Sequence, residues 1–156
     1  MTLPFLLSMA CSKHDDTLCK RYYVPYPDLV GQRQRTAQNA AFLDAMAFYD
    51  RGEYAAAAQG LRTYVDKNEK DVTARMYLAS ALLGAGEPSK AEMHLDFLER
   101  SPNIGFKDQV EWYNALCWLC SGQYTRCLQQ CMWITQRPAH TYKQQAQELV
   151  DMLTDH

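Results

Sequence analysis

The residues in this 156-residue chain whose types and spacing invite chemistry are its cysteines: Cys11, Cys19, Cys117, Cys120, Cys127 and Cys131. The last four form Cys117-x-x-Cys120 and Cys127-x-x-x-Cys131, and four thiolates could close a tetrahedral zinc site. The competing reading is packing. All four lie in an apolar pattern of helical spacing, where cysteine behaves as a small buried hydrophobe. Cys127 and Cys131 also fall where two earlier stretches of similar pattern carry Ala57/Leu61 and Ala91/Leu95. That equivalence favours core filling over zinc. A disulfide within the set is the third reading, and an oxidising compartment would strengthen it.

The other reactive side chains do not converge. His14, His94, His140 and His156 do not sit with carboxylates or cysteines at ligand spacing, so they read as surface or hydrogen-bonded histidines. Asp15-Asp16, Glu99, Asp108 and Glu111 show no pairing that would make one a general acid and another a base. There is no glycine-rich phosphate loop, no Gly-x-Ser-x-Gly and no His-Glu pair of metalloprotease type. The expectation is a protein without enzymatic activity, cofactor or metal. A net charge of −2 offers no basic footprint for nucleic acid. Lys20-Arg21, Arg33 and Arg35 form a small cluster that reads as solvated surface. With 47% apolar and 22% charged residues, the composition is that of an ordinary globular domain. The length suits one domain with a core of its own.

The first residues, MTLPFLLSMACSKHDD, hold an apolar run from Leu3 to Ala10 that is too short to span a bilayer. No Lys or Arg precedes it, as a secretory signal would require. Cys11 follows a small residue and an apolar run, which resembles a bacterial lipoprotein cleavage site, with Ser8 as a departure. Three readings stand: lipidation at Cys11, the tail of an anchor that starts further upstream, or plain structure. Residues 1–19 are read as this apolar start and a polar tether.

Residues 20–35, KRYYVPYPDLVGQRQR, place Tyr22, Tyr23, Pro25, Tyr26 and Pro27 within six positions. Prolines so spaced exclude a helix interior and favour an extended, stiff strap.

Behind the strap the chain repeats itself. AFLDAMAFYDRGEYAAAAQGLRTYV (41–65), ARMYLASALLGAGEPSKAEMHLDFL (74–98) and VEWYNALCWLCSGQYTRCLQQCMWI (110–134) share a glycine at Gly52, Gly86 and Gly122, at intervals of 34 and 36 residues. Seven positions earlier stands Ala45, Ala79 or Ala115, and five later Ala57, Ala91 or Cys127. This predicts three pairs of helices. Glycine closes the first helix of each pair, and small residues let the two helices approach. Phe48, Leu82 and Trp118, with Leu61, Leu95 and Cys131, are expected to fill the space between, and Pro88 suits a first helical turn.

The pattern resembles the tetratricopeptide repeat, whose period is 34 residues. Its usual early Trp is replaced by Phe42, Met76 and Trp112 nearby. The resemblance implies an all-α fold: an α-α superhelix of three helix-turn-helix repeats (about 38–70, 72–106 and 108–138). A C-terminal capping helix at about 140–154 would close it, the whole array occupying 36–156. The strap followed at once by repeats is also similar to a group of Bacteroidetes envelope-associated tetratricopeptide proteins that carry a PYP segment before the array. That likeness implies membrane attachment near the N-terminus and a location in the cell envelope facing the periplasm, with the cytoplasm as the alternative.

In this family the first helix of each pair lines a concave groove. The matching residues are Asn39, Phe42, Met46 and Tyr49, then Thr73, Met76, Ser80 and Leu83, then Gln109, Trp112, Leu116 and Leu119. Phe42 and Met46 stand where some members carry a Lys/Asn clamp for acidic tails, which excludes that ligand class. An apolar groove is not expected to face water unfilled. It would hold a peptide or helix of a protein partner, or the chain's own strap. The expected function is an interaction scaffold or adaptor with a protein or peptide partner and no nucleic acid. The alternatives are a structural, self-associating module whose groove its own strap fills, and a small-ligand sensor.

Overall fold

The computed structural model describes residues 16–101 and 105–155. Eight helices occur among them and no strand: α1 (Asp16–Tyr22), α2 (Ala40–Asp50), α3 (Tyr54–Lys67), α4 (Val72–Gly84), α5 (Pro88–Arg100), α6 (Lys107–Cys120), α7 (Tyr124–Thr135) and α8 (Lys143–Thr154). Each helix from α2 to α8 packs on the next, which makes three helix-turn-helix units and a closing helix. The short α1 breaks the sequence and packs on α6. Cys11, proposed for lipidation, lies outside the described residues, and none of the described helices is long and apolar enough to cross a membrane.

The unit is built by its turn. Gly52, Gly86 and Gly122 have φ of 74°, 78° and 72°, the left-handed region where a Cβ would be strained. Each glycine N–H donates to the carbonyl three residues back, at Tyr49, Leu83 or Leu119. The following N–H reaches five residues back, to Phe48, Leu82 or Trp118, so the helix's last carbonyls are satisfied in the same way in all three units. The second helices then bury one stripe each: Ala57, Leu61 and Val65 in α3, Ala91, Leu95 and Leu98 in α5, Cys127, Cys131 and Ile134 in α7. Close approach is literal in the first unit, where a Cβ on Gly60 would come 2.9 Å from the Cβ of Ala45.

The first helices of the second and third units are enclosed instead. In α4 every residue from Met76 to Leu83 is buried, and in α6 every residue from Val110 to Cys117. A helix covered on all faces needs a neighbour on each, and the strap supplies the one that the array lacks. The sequence expectation for the inter-helix residues holds for Leu61, Leu82, Leu95 and Cys131, all fully buried, and fails for Phe48 and in part for Trp118. Phe48 is exposed beneath the Arg51 guanidinium, and Trp118 is half-buried, donating its indole N–H to Glu92 at 2.7 Å. Trp133 is exposed as well, on the outer side of α7.

Candidate functional site

The strap lies along the first helices of the units and runs against their order. Cys19, in α1, is disulfide-bonded to Cys120 at the end of α6, in the third unit. The chain leaves helical geometry after Tyr22, so Lys20 to Tyr22 of the expected strap belong to α1. From there Val24 meets the third unit: the Tyr113 hydroxyl donates to its carbonyl at 2.6 Å. Tyr26 meets the second and first units together, and Pro27 and Leu29 meet Tyr77 of α4.

Ser80 and Tyr49 close a ring of hydrogen bonds around the backbone of Tyr26. The Tyr26 N–H donates to Ser80 Oγ at 3.0 Å, and the Tyr49 hydroxyl donates to the Tyr26 carbonyl at 2.7 Å. Tyr49 has one proton and has spent it, so at the 2.7 Å contact between the two hydroxyls Ser80 is the donor. Tyr77 works in both directions: its hydroxyl donates to the Pro27 carbonyl at 2.9 Å and accepts the Leu29 N–H at 2.9 Å. Tyr23 donates its own hydroxyl to the Ser80 carbonyl at 2.8 Å. The groove thus holds main-chain atoms of residues 24–29 with side-chain hydroxyls. Burial pushes the Tyr23, Tyr26, Tyr49, Tyr77 and Tyr113 phenols up, so each stays protonated, and Tyr23, Tyr49, Tyr77 and Tyr113 remain donors.

Aromatic packing supplies the apolar part. The Tyr26 ring is 7% exposed and lies 5.3 Å from Tyr77 and 5.9 Å, edge to face, from Phe106. Tyr54 takes Tyr23 and Tyr49 edge-on at 6.0 and 5.5 Å. Gly84 makes room at the mouth: a Cβ there would stand 2.6 Å from the Tyr54 ring and 2.8 Å from the Tyr23 hydroxyl. Below the third-unit end of the strap a cleft of about 140 Å³ remains between Pro25, Pro27, Trp112 and Tyr142. Beyond the other end, Asp28 accepts from the N–H groups of Val30 and Gly31 at 2.8 and 2.7 Å, which turns the chain toward α2.

Among the expected groove residues, Tyr49 and Ser80 bond the strap directly. Met46 lines a shallow cleft with Asp28, and Trp112 one with Pro25. Phe42, Met76, Leu83, Leu116 and Leu119 are buried, Met76 and Leu116 completely. Asn39 bonds its own loop, accepting from the Thr36 N–H and donating to the Gln34 carbonyl. Thr73 and Gln109 are half-buried. Tyr77 and Tyr113 are additions to that set. They occupy equivalent positions of units two and three, next to Met76 and Trp112, and this recurrence of tyrosine is the signal that marks them in the sequence.

The cysteines divide differently from the expectation. Cys120 is half of the long-range disulfide, while Cys117, Cys127 and Cys131 are free and fully buried. Burial pushes the Cys117 thiol well up, and the hydrogen bond to Cys131, with burial, does the same at Cys127. Sequence spacing could not reveal Cys19–Cys120, because the partners are 101 residues apart.

The expectation that no histidine joins carboxylates is also corrected. Asp108 and Glu111 of α6 meet His140, with ligand atoms within 4.8 Å of one another. His140 Nδ1 accepts the Tyr142 N–H at 3.1 Å, so Nε2 carries the proton and donates to Glu111 at 3.0 Å. Arg137 bonds the same Glu111 oxygen and stands 3.5 Å from Asp108. Asp108 also accepts the N–H and hydroxyl of Thr141 at 2.7 and 2.8 Å. Although burial raises the Asp108 pKa, these hydrogen bonds and the neighbouring His140 and Arg137 lower it further than burial lifts it. The guanidinium already fills the place of a cation, and the imidazole lone pair that would bind one is protonated. The cluster is a charge-compensated bracket that ties the α7–α8 loop to the first turns of α6.

These observations define an all-α array of sequentially packed helix pairs with an extended segment seated on it. No family model matches the chain, and no match was found among curated proteins or solved structures.

Proposed function

We propose that the protein is an interaction module of tetratricopeptide type whose concave face receives an extended, Tyr/Pro-bearing peptide, and that its own strap is the resident occupant. The observation that carries this reading is the row of hydroxyls at Tyr49, Tyr77, Ser80 and Tyr113, which bond the occupant's main chain rather than its side chains. Main-chain recognition with a few aromatic pockets is how extended peptides are read in general. A protein partner would therefore present an extended segment, and the apolar walls at Met46, Tyr77 and Trp112, with Phe42 packed behind Tyr77, would favour aromatic residues in it. No group in the groove is arranged for bond-making chemistry, and the reading is that of a scaffold or adaptor, not an enzyme. The Cys19–Cys120 bond supports an oxidising compartment, in keeping with a place in the bacterial envelope.

The test is direct binding. A fluorescein-labelled peptide of residues 20–32 is titrated with the full-length Cys19→Ser/Tyr26→Ala chain, whose own strap is weakened, with intact helicity checked by circular dichroism. Saturable anisotropy that a scrambled peptide does not produce supports the reading; no binding to the folded variant overturns it.

One observation favours a second reading, the self-associating module. Met93 and Phe97 on the outer side of α5, and Met132 and Trp133 on that of α7, are 70%, 42%, 47% and 44% exposed. Sedimentation equilibrium separates the two: a mass that rises with concentration supports self-association through these outer faces, and a constant monomer mass excludes it.

A further inference from the structure

We infer that the Cys19–Cys120 disulfide is a redox latch on the groove: closed, it pins the chain's own strap in place; opened, it lets the strap leave and an extended Tyr/Pro-bearing segment take its place in trans. This rests on the peptide-binding reading of the groove given above.

The strap between Tyr23 and Val30 is held at both ends by covalent bonds. At one end the chain continues through residues 31–39 into α2. At the other, α1 is joined to α6 by the disulfide. A segment fixed at both ends can loosen but cannot leave. With the disulfide open, one end is free, and the connection that remains is suited to let the strap swing: every residue from Gly31 to Gln38 is exposed. The seven-residue α1 is too short to persist by itself, and its hold on α6 then rests on the partly buried Leu18 and Tyr22. What then retains the strap is the set of main-chain hydrogen bonds and the Tyr23 and Tyr26 rings, all of which another extended chain of the same character can reproduce.

The placement of the sulfurs supports selective opening. Cys19 is half-buried in the seven-residue α1, about two turns long, whereas the free cysteines Cys117, Cys127 and Cys131 have no exposed area. All three free thiols are enclosed in the core, and burial also holds Cys117 and Cys127 protonated, so none of them supplies the attacking thiolate. The reductant is therefore an external dithiol. Its thiolate attacks one sulfur of the pair and forms a mixed disulfide. Its second thiol resolves that bond and leaves as the cyclic or protein disulfide. Cys19 and Cys120 take up one electron and one proton each.

A tethered strap competes at an effective concentration in the millimolar range, so opening the latch exposes the groove to partners that are abundant or themselves held nearby. The closed form is shut to all of them.

Hydrogen exchange with mass spectrometry on the full chain, with and without dithiothreitol, tests the latch. The N–H groups of Tyr26 and Leu29 are bonded to Ser80 and Tyr77, and on reduction they should exchange at least about tenfold faster while α4 and α6 keep their protection. Cys19→Ser should show the fast exchange without reductant and no response to it. The labelled 20–32 peptide should bind the full-length Cys19→Ser/Tyr26→Ala chain and not the oxidised wild type. Should Tyr26→Ala unfold the chain, Tyr23→Phe, which drops only the hydroxyl bonded to Ser80, serves in its place. Unchanged strap protection on reduction overturns the latch, even where the weakened variant binds peptide and the groove reading stands. Equal loss of protection in α4 and α6 also overturns it, since the bond is then a staple of the whole fold. Failure of the folded weakened variant to bind peptide overturns the groove reading and the latch with it.

Discussion

Ser80 is completely buried and bonds three tyrosines: its Oγ accepts the Tyr26 N–H and donates to the Tyr49 hydroxyl, and its carbonyl accepts the Tyr23 proton, with the Tyr23 oxygen in long contact with Oγ. Ser80→Ala leaves the Tyr26 N–H without an acceptor in a dry site. The expected cost is about 1–3 kcal/mol, read from urea unfolding. Asn114 is the opposite case. Its side-chain oxygen is buried with no partner, and its counterpart in the second unit is Leu78, fully buried. Asn114→Leu should stabilise the chain by about 1–2 kcal/mol by removing a desolvated amide. His94 gives the fold a pH dependence. Burial first, then the nearby Arg75 and Arg62, lower its pKa to about 4 against an opposing pull from Asp66. Because Arg75 only donates, His94 Nδ1 is the acceptor of their 3.2 Å bond and the ring is neutral. The folded pKa lies below the unfolded value, so the neutral ring carries no penalty above about pH 6.5. Stability is lost as pH falls from there through about 4. With solvent access discounted, the loss is about 1–2 kcal/mol. His94→Gln keeps an acceptor for Arg75 without titrating, and should flatten that part of the pH–stability curve.

At the scale of the helix pair, the turn carries the repeat. Gly86 sits at φ 78° between the enclosed α4 and the one-sided α5, with nothing near its Cβ position, so Gly86→Ala meets no clash and costs only the left-handed backbone. That is about 1–2 kcal/mol in thermal or urea unfolding. The corresponding changes at Gly52 and Gly122 should cost similar amounts, as their φ values and hydrogen bonds match. These turns were readable in the sequence because they are local: a glycine with fixed neighbours at fixed offsets is enough to specify helix, turn and helix. The small stripe at Ala57, Ala91 and Cys127 was readable for the same reason. The orientation of Phe48 and Trp133 was not, since a helical position says which side of the helix a ring leaves, not whether another element covers it. Tyr49 and Ser80 could be placed on the groove by register. That their hydroxyls would grip a backbone depends on the strap's path, which no periodicity encodes. The Asp108–Glu111–His140 bracket joins a helix to a loop about thirty residues later, and α1 is seven residues long; neither leaves a period to detect.

For the molecule as a whole, the strap and its disulfide convert an open array into a closed one. The bond joins residues separated by 101 positions, and so ties the leading segment across all three units to the end of α6. In the chain-entropy picture, a cross-link over a loop of that size removes about 4–5 kcal/mol of disorder from the unfolded chain. Reduction should therefore lower the thermal midpoint by roughly 10 °C for a chain of this length. Cys19→Ser/Cys120→Ser should unfold at the reduced midpoint with or without dithiol. The magnitude also separates two roles of the bond. A fall near the full entropic value means that the strap stays seated until the whole chain unfolds, so the cross-link is counted against global unfolding. A much smaller fall, with fast exchange at Tyr26 and Leu29, means that the reduced strap detaches first and the array unfolds without it. In that case the three units and α8 must hold together on their own contacts, as the uninterrupted packing from α2 to α8 allows.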